Sequence, residues 1–308
     1  MLTLDALEAF IPQTRVPVID LGVQTGLPKE MLSIFRAIYG LKMISIYTQG
    51  DLESLITIPL EKLLFACNDI SRIKYIIYVH TTGIVLPLGD AMIHRLKEKF
   101  HLHSVMSFGM TMQKCVSYFK ALEILNVLLT THPDYSAIVL TGEIAFSPQL
   151  RVVPRSSIVG DAATASLFSL TGKNHQLLSV INYLIPDYSK GIYLSDDNMQ
   201  QFDAQFIQSM VNIILDAILT ANILLSDIAL ILPHNVNIPA WKKISAALHF
   251  PIEKIYVDVI ARVGHAFCSD HVINLQSALS DNRLKKGDYY VMAGCGMGFY
   301  LSAAVFRY

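Results

Sequence analysis

The sequence predicts an α/β fold made of two duplicated halves, with mostly parallel sheet covered by helices on both faces. Three observations carry this. Residues 69–80 read as a loop and a buried apolar strand ending in His80, and residues 226–234 read the same way, ending in His234. Residues 135–142 form an apolar strand ending in Gly142, and residues 288–294 repeat it, ending in Gly294. Helical patterns over 55–68 and 203–225 precede the first strand of each pair. Helices that alternate with wholly apolar strands imply a sheet buried on both faces.

The offsets between the copies nearly agree. His80 and His234 lie 154 positions apart, and Gly142 and Gly294 lie 152 apart. Between the paired strands, each copy delivers a reactive side chain and then a helix. In the first copy that side chain is Cys115; in the second it is His265, 150 positions later. The halves are expected at residues 1–172 and 173–308. Packed about a pseudo-twofold axis, they would place equivalent loops side by side, so Cys115, His234 and His265 would converge at the centre.

Cys115 opens a helical run, where unpaired backbone N–H groups and the positive end of the helix dipole favour a thiolate. A lone cysteine is most often buried structure. A cysteine with distant histidines is also the raw material of covalent acyl transfer.

Composition bounds the rest. The chain has 308 residues, 53% hydrophobic and 16% charged, with a mean hydropathy of +0.44. That much apolar surface needs a thick core or a subunit interface. A net charge of −1 argues against the basic footprint of a nucleic-acid binder. The N-terminus lacks a basic, cleavable signal pattern. The apolar stretch 207–232 is broken by Asn212, Asp216, Asn222, Ser226 and Asp227, so it reads as buried helix and strand and not as a membrane span. Cys67, Cys115, Cys268 and Cys295 have no CxxC spacing, which fits a reducing cytoplasm. His101 and His103 lack further ligands for a metal clip.

Four motifs in order then carry a resemblance. These are Gln113-Lys-Cys115-Val-Ser-Tyr, Val159-Gly-Asp161-Ala-Ala-Thr-Ala-Ser, Leu232-Pro-His234-Asn-Val-Asn237, and Gly296-Met-Gly298-Phe-Tyr followed by residues 303–308. Together they resemble the thiolase superfamily, and within it the β-ketoacyl-acyl-carrier-protein synthase III-like enzymes. The resemblance implies a five-layer αβαβα fold. It also implies an acyltransferase that forms an acyl-cysteine and then a 3-ketoacyl product, by decarboxylative Claisen condensation with a malonyl thioester in specialised fatty-acid or polyketide biosynthesis. Cys115 would be the nucleophile. His234 and His265 would donate to the enolate oxygen, and the backbone N–H groups of Cys115 and Met297 would form the oxyanion hole. The acyl donor would be a thioester on acyl carrier protein or coenzyme A, handled by a cytoplasmic homodimer with no metal or redox cofactor. Lys242 and Lys243 would supply a basic spot for an acidic carrier; a solvated helix face is the plainer reading of both.

Departures from the pattern are informative. Members of this group carry Asn where this chain has His265. The small residues that usually follow are replaced by Phe267, Cys268, Ser269 and Asp270. The region before residue 40 lacks the Trp and Arg that grip the adenine end of coenzyme A. His265 could instead be a base for an alcohol, amine or thiol acceptor, which would give ester, amide or thioester formation without decarboxylation. A third reading is a non-catalytic partner subunit of a ketosynthase heterodimer. Cys295 and His80 read as structural, and Glu143 as a residue that hydrogen-bonds loops.

Overall fold

A computed structural model describes residues 1–87 and 89–308. Nine long strands form one mixed sheet, numbered here in chain order: β1 Thr3–Phe10, β2 Ile73–Val79, β3 Met106–Met110, β4 Ser136–Glu143, β5 Ala162–Ser169, β6 Gln176–Leu184, β7 Ile228–Pro233, β8 Tyr289–Gly296 and β9 Tyr300–Arg307. Their spatial order is β7-β8-β9-β6-β1-β5-β4-β2-β3. The long helices are α1 Leu52–Ala66, α2 Ser117–Thr131, α3 Asp196–Thr220, α4 Ile238–Leu248 and α5 Asp270–Ser280.

The topology is a repeat. In the first series β1 pairs β5 antiparallel, β5 pairs β4 antiparallel, and β4 pairs β2 and β2 pairs β3 in parallel. In the second, β6 pairs β9 antiparallel, β9 pairs β8 antiparallel, and β8 pairs β7 in parallel. A single parallel bridge, Ile231 to Ile255, stands where the first series has β3. The series meet at β1 and β6 through one register pair, Thr3 with Gln176.

The expectation of a mostly parallel sheet is therefore corrected. The strands legible from hydrophobic runs each follow a helix, and a crossover of that kind makes parallel neighbours. The strands nearest the seam where the series meet (β9, β6, β1 and β5) pair antiparallel.

Five layers follow. Helix α1 packs on β1, β4 and β5, and α3 on β6, β8 and β9. Helices α2 and α5 lie between the two series: α2 touches β2 and β4 on one side and β6 and β9 on the other, and α5 touches β1, β5 and β7. Three hydrophobic clusters fill the gaps between layers.

Side-chain caps mark the helix starts. Asp51 accepts from Ser54 N at 2.9 Å, Ser195 from Asn198 N at 3.4 Å and Asn237 from Ala240 N at 2.8 Å. Helix α3 is long and apolar enough to cross a membrane by length and composition alone. Its buried residues, Met210, Val211, Ile213, Ile214, Ala217 and Ile218, belong to the cluster beneath the second series.

Candidate active site

Cys115 lies in a one-turn 3-10 segment, Lys114–Val116, that leads into α2. The turn is tight: Lys114 adopts φ +56, which is uncommon for a residue with a side chain. Lys114 N donates to Thr111 O at 3.0 Å, and Ser117 Oγ donates back to Lys114 O at 2.8 Å. Cys268 Sγ also donates to Lys114 O, at 3.2 Å. Burial, with Glu143 and Cys115 nearby, pushes the Cys268 thiol well above its ordinary value, so it keeps its proton for that bond.

The equivalent loop of the second series carries His265. Its backbone N–H donates to Ile158 O at 3.0 Å, and its carbonyl accepts from Gly160 N at 2.9 Å. Val159 and His265 thereby form a parallel bridge. The chain passes so close here that a Cβ on Gly264, at φ +81, would stand 2.7 Å from Ile158 O. Glycine is the residue that fits.

The strap carrying Val159 is anchored in turn by a buried ion pair, Arg151 Nη1 to Asp161 Oδ1 at 2.8 Å. Arg151 also donates to Val159 O at 3.0 Å and to Ala145 O at 2.7 Å. Asp161 accepts from Tyr47 N at 2.9 Å and Ala145 N at 3.0 Å.

These two loops bring the reactive groups together. His265 Nε2 is 3.2 Å from Cys115 Sγ, and His265 Nδ1 is 2.6 Å from Asp270 Oδ2. Asp270 opens α5 and is fully buried. Its Oδ2 accepts from Asn235 N at 2.6 Å and its Oδ1 from Ala266 N at 2.7 Å. Two backbone donors thus fix the carboxylate, the carboxylate fixes the imidazole tautomer, and Nε2 is left to exchange a proton with sulfur. Burial alone would lower His265. The neighbouring Asp270 carboxylate and Cys115 sulfur outweigh it, and the ring is raised well above the ordinary histidine value.

His234 follows β7 and shares the neighbourhood, its ring centroid 6.4 Å from that of His265. Trp241 Nε1 donates to His234 O at 3.1 Å, and Asn274 Nδ2 donates to Pro233 O at 2.7 Å. Burial, with His265 and His271 close by, pushes His234 well below its ordinary value and keeps the ring neutral. Among the described residues its Nδ1 has no hydrogen-bond partner.

The β8–β9 turn that holds Met297 lies against the nucleophile turn: a Cβ on Gly296 would stand 2.3 Å from Gln113 O. Lys242 and Lys243 sit on α4, both exposed, beside buried Trp241.

The residues set aside by sequence reasoning divide differently. His80 stacks on Tyr78, with ring centroids 4.9 Å apart. Glu143 is buried and accepts from Thr81 N at 2.6 Å and Thr82 N at 2.9 Å. Cys295 Sγ points to Gly296 O at 3.4 Å. Among the described residues no three His, Cys, Asp or Glu gather to hold a metal.

Asp270 is the residue that sequence reasoning missed: it stood there only as one of four replaced small residues. The available signal was an acid five positions after the Gly264-His265 pair, at the start of a helical run.

Residues 218–308 match the family model described as the C-terminal part of 3-oxoacyl-[acyl-carrier-protein] synthase III. A β-ketoacyl-[acyl-carrier-protein] synthase III from Roseiflexus sp. (strain RS-1) is 31% identical over 102 residues, 33% of this chain and 31% of that protein. The match thus spans about a third of that curated relative's length. Among solved structures, the acyltransferase ChlB3 is similar with a TM-score of 0.86 and 20% identity, covering 99% of this chain and 97% of that one. The synthase III of Thermus thermophilus is similar with a TM-score of 0.82 and 17% identity, covering 99% of each chain. The chain therefore shares the fold of the β-ketoacyl-acyl-carrier-protein synthase III structures, and its C-terminal part, residues 218–308, is similar in sequence to that family.

Proposed function

We propose that this protein takes an acyl group from a thioester onto Cys115 and passes it to a hydroxyl, amine or thiol acceptor. The line Asp270–His265–Cys115 carries this reading, with its 2.6 and 3.2 Å contacts. An asparagine at position 265 could donate a hydrogen bond to a substrate oxygen but could not take up a proton. An imidazole held by a carboxylate can also accept a proton, which a heteroatom acceptor needs and a carbanion formed by decarboxylation does not.

In the first half-reaction Cys115 gives its proton to His265 Nε2, and the thiolate attacks the thioester carbonyl. The tetrahedral oxyanion forms at the backbone N–H groups of Cys115 and Met297. The carrier thiol leaves with the proton from His265. In the second, the acceptor gives a proton to His265 and attacks the acyl-cysteine, and Cys115 departs as the leaving group, taking that proton back from His265 Nε2.

A second reading is decarboxylative condensation with a malonyl thioester to a 3-ketoacyl product. The 6.4 Å spacing of the His234 and His265 rings supports it, since two imidazoles there could both donate to an enolate oxygen. A non-catalytic partner subunit is disfavoured by the retained Cys115–His265 contact.

The setting we infer is a cytoplasmic homodimer in specialised fatty-acid or polyketide biosynthesis, its halves dividing at residues 172 and 173. The donor is carried on acyl carrier protein or coenzyme A, and Lys242 and Lys243 are the candidate contacts for an acidic carrier.

The experiment is a two-stage mass measurement. Acyl thioesters are first mixed with the protein, and intact mass reads the adduct on Cys115. The acylated protein is then offered alcohols, amines, thiols and, separately, a malonyl thioester. Ester, amide or thioester products support transfer to a heteroatom. Carbon dioxide with a 3-keto product supports the second reading and overturns the first.

A further inference from the structure

We propose that Phe267 sets the size of the acyl group that Cys115 accepts. The proposal rests on the acyl-cysteine reading above and adds a specificity residue to it.

Phe267 is held in the left-handed region, at φ +52. A bulky aromatic residue pays a steric cost there and persists only where its surroundings fix it. Here both flanks are tied down. Ala266 N donates to Asp270 Oδ1 at 2.7 Å, and Cys268 Sγ donates to Lys114 O at 3.2 Å. The backbone between these ties turns the Phe267 ring inward, where it is 6% exposed, its centroid 5.6 Å from the His265 ring.

The ring belongs to a small cluster set apart from the three large cores: Cys115, Ala145, Val159 and Phe267, with Leu150 and Val153 against it. Cys115, Ala145 and Val159 are small. Ala145 and Val159 are pinned through their backbones by Arg151 and Asp161. That leaves Phe267 as the large buried side chain of the cluster that holds the sulfur, with Leu150 only partly buried at its border. An acyl chain growing from Cys115 meets it, so the wild-type protein takes short acyl groups.

Two probe series test this. The first is a set of acyl N-acetylcysteamine thioesters of increasing chain length, with intact mass reading the rate of Cys115 acylation. The second is a set of N-alkyl iodoacetamides of increasing chain length, with peptide mapping reading alkylation at Cys115; it needs no acyl transfer. The proteins are the wild type, Phe267→Gly, which suits the φ and opens the space, and Phe267→Leu as a partial opening. Retained thermal melting checks that each variant folds.

The wild-type rate should fall with chain length in both series. Phe267→Gly should raise the long-to-short ratio at least about tenfold, the least expected where a pocket discriminates single methylenes, and Phe267→Leu should lie between. An unchanged length profile in both variants overturns the proposal. Failure of every thioester to acylate the wild type, alongside a shifted iodoacetamide profile, overturns the acyl-cysteine reading and leaves Phe267 as the size limit at Cys115.

Discussion

Cys115 and His265 hold equivalent places in the two series, ahead of α2 and α5, and meet with Nε2 3.2 Å from Sγ. Two similar chain paths thus set a thiol from one series against an imidazole from the other.

Asp270→Asn should lower turnover by about 10³–10⁴-fold, the size of effect seen when the acid of a nucleophile–histidine–acid triad becomes its amide. The amide presents an NH₂ group to donors that now face a carboxylate. The acid limb of the pH–rate profile should also move to lower pH, because Asp270 helps to raise His265. Steady-state kinetics across pH reads both effects, and an unshifted limb would count against the relay.

His265→Asn keeps a donor and removes the base. Transfer to an alcohol or amine should fall about 10²–10⁴-fold. Decarboxylation of a malonyl thioester, if the protein performs it, should survive far better. Product mass spectrometry with carbon dioxide release separates the two.

Arg151→Met should cost about 3–5 kcal/mol, because it leaves the Asp161 carboxylate buried and unpaired. The strap at Val159 and Gly160 would loosen, and with it the backbone bonds that hold His265. Urea unfolding should give the stability loss, and a lower rate of Cys115 alkylation should accompany it.

Gly296→Ala would push a methyl group to within 2.3 Å of Gln113 O, a backbone atom that cannot easily yield. The β8–β9 turn and the nucleophile turn should separate. Cys115 acylation should slow by about 10²–10³-fold, the order of loss when one oxyanion donor is removed, while the melting transition is largely retained.

Stability should fall as pH drops from about 6.5 towards 4. Burial lowers His271 and His175 to about 4 each. Between that value and the unfolded one near 6.5, the unfolded chain binds protons that the native rings refuse, so unfolding is favoured as pH falls. Each ring accounts for roughly 3 kcal/mol across this window. His265 does not add to the loss, because its raised value leaves it protonated in both states there. Glu143 opposes it, since burial raises its carboxyl and the native state takes up that proton first. Denaturant melts at pH 7 and pH 4 should show the drop, and His271→Leu should shrink it by roughly 3 kcal/mol.

Much of the fold was legible because hydrophobic runs report burial directly. The helix expected over 55–68 is α1 Leu52–Ala66, and the one expected over 203–225 is α3 Asp196–Thr220. The ends drifted because Asp51 and Ser195 caps, not apolar periodicity, fix the starts. Strands β1, β5 and β6 were not read, because small and polar residues such as Thr164, Ser166 and Ser179 interrupt their apolar runs although the fold buries them.

By itself the sequence determined the repeated pattern of helices and apolar strands and the candidates Cys115, His234 and His265, because spacing and hydrophobic pattern are local properties that survive without coordinates. Only the tertiary structure decided that Asp270 stands behind His265, that Arg151 and Asp161 hold the strap against it, and that Phe267 turns in beside the sulfur. Each of these depends on the distance between loops far apart in the chain, and a distance of that kind is set by how the two series pack across α2 and α5, not by any residue's immediate neighbours.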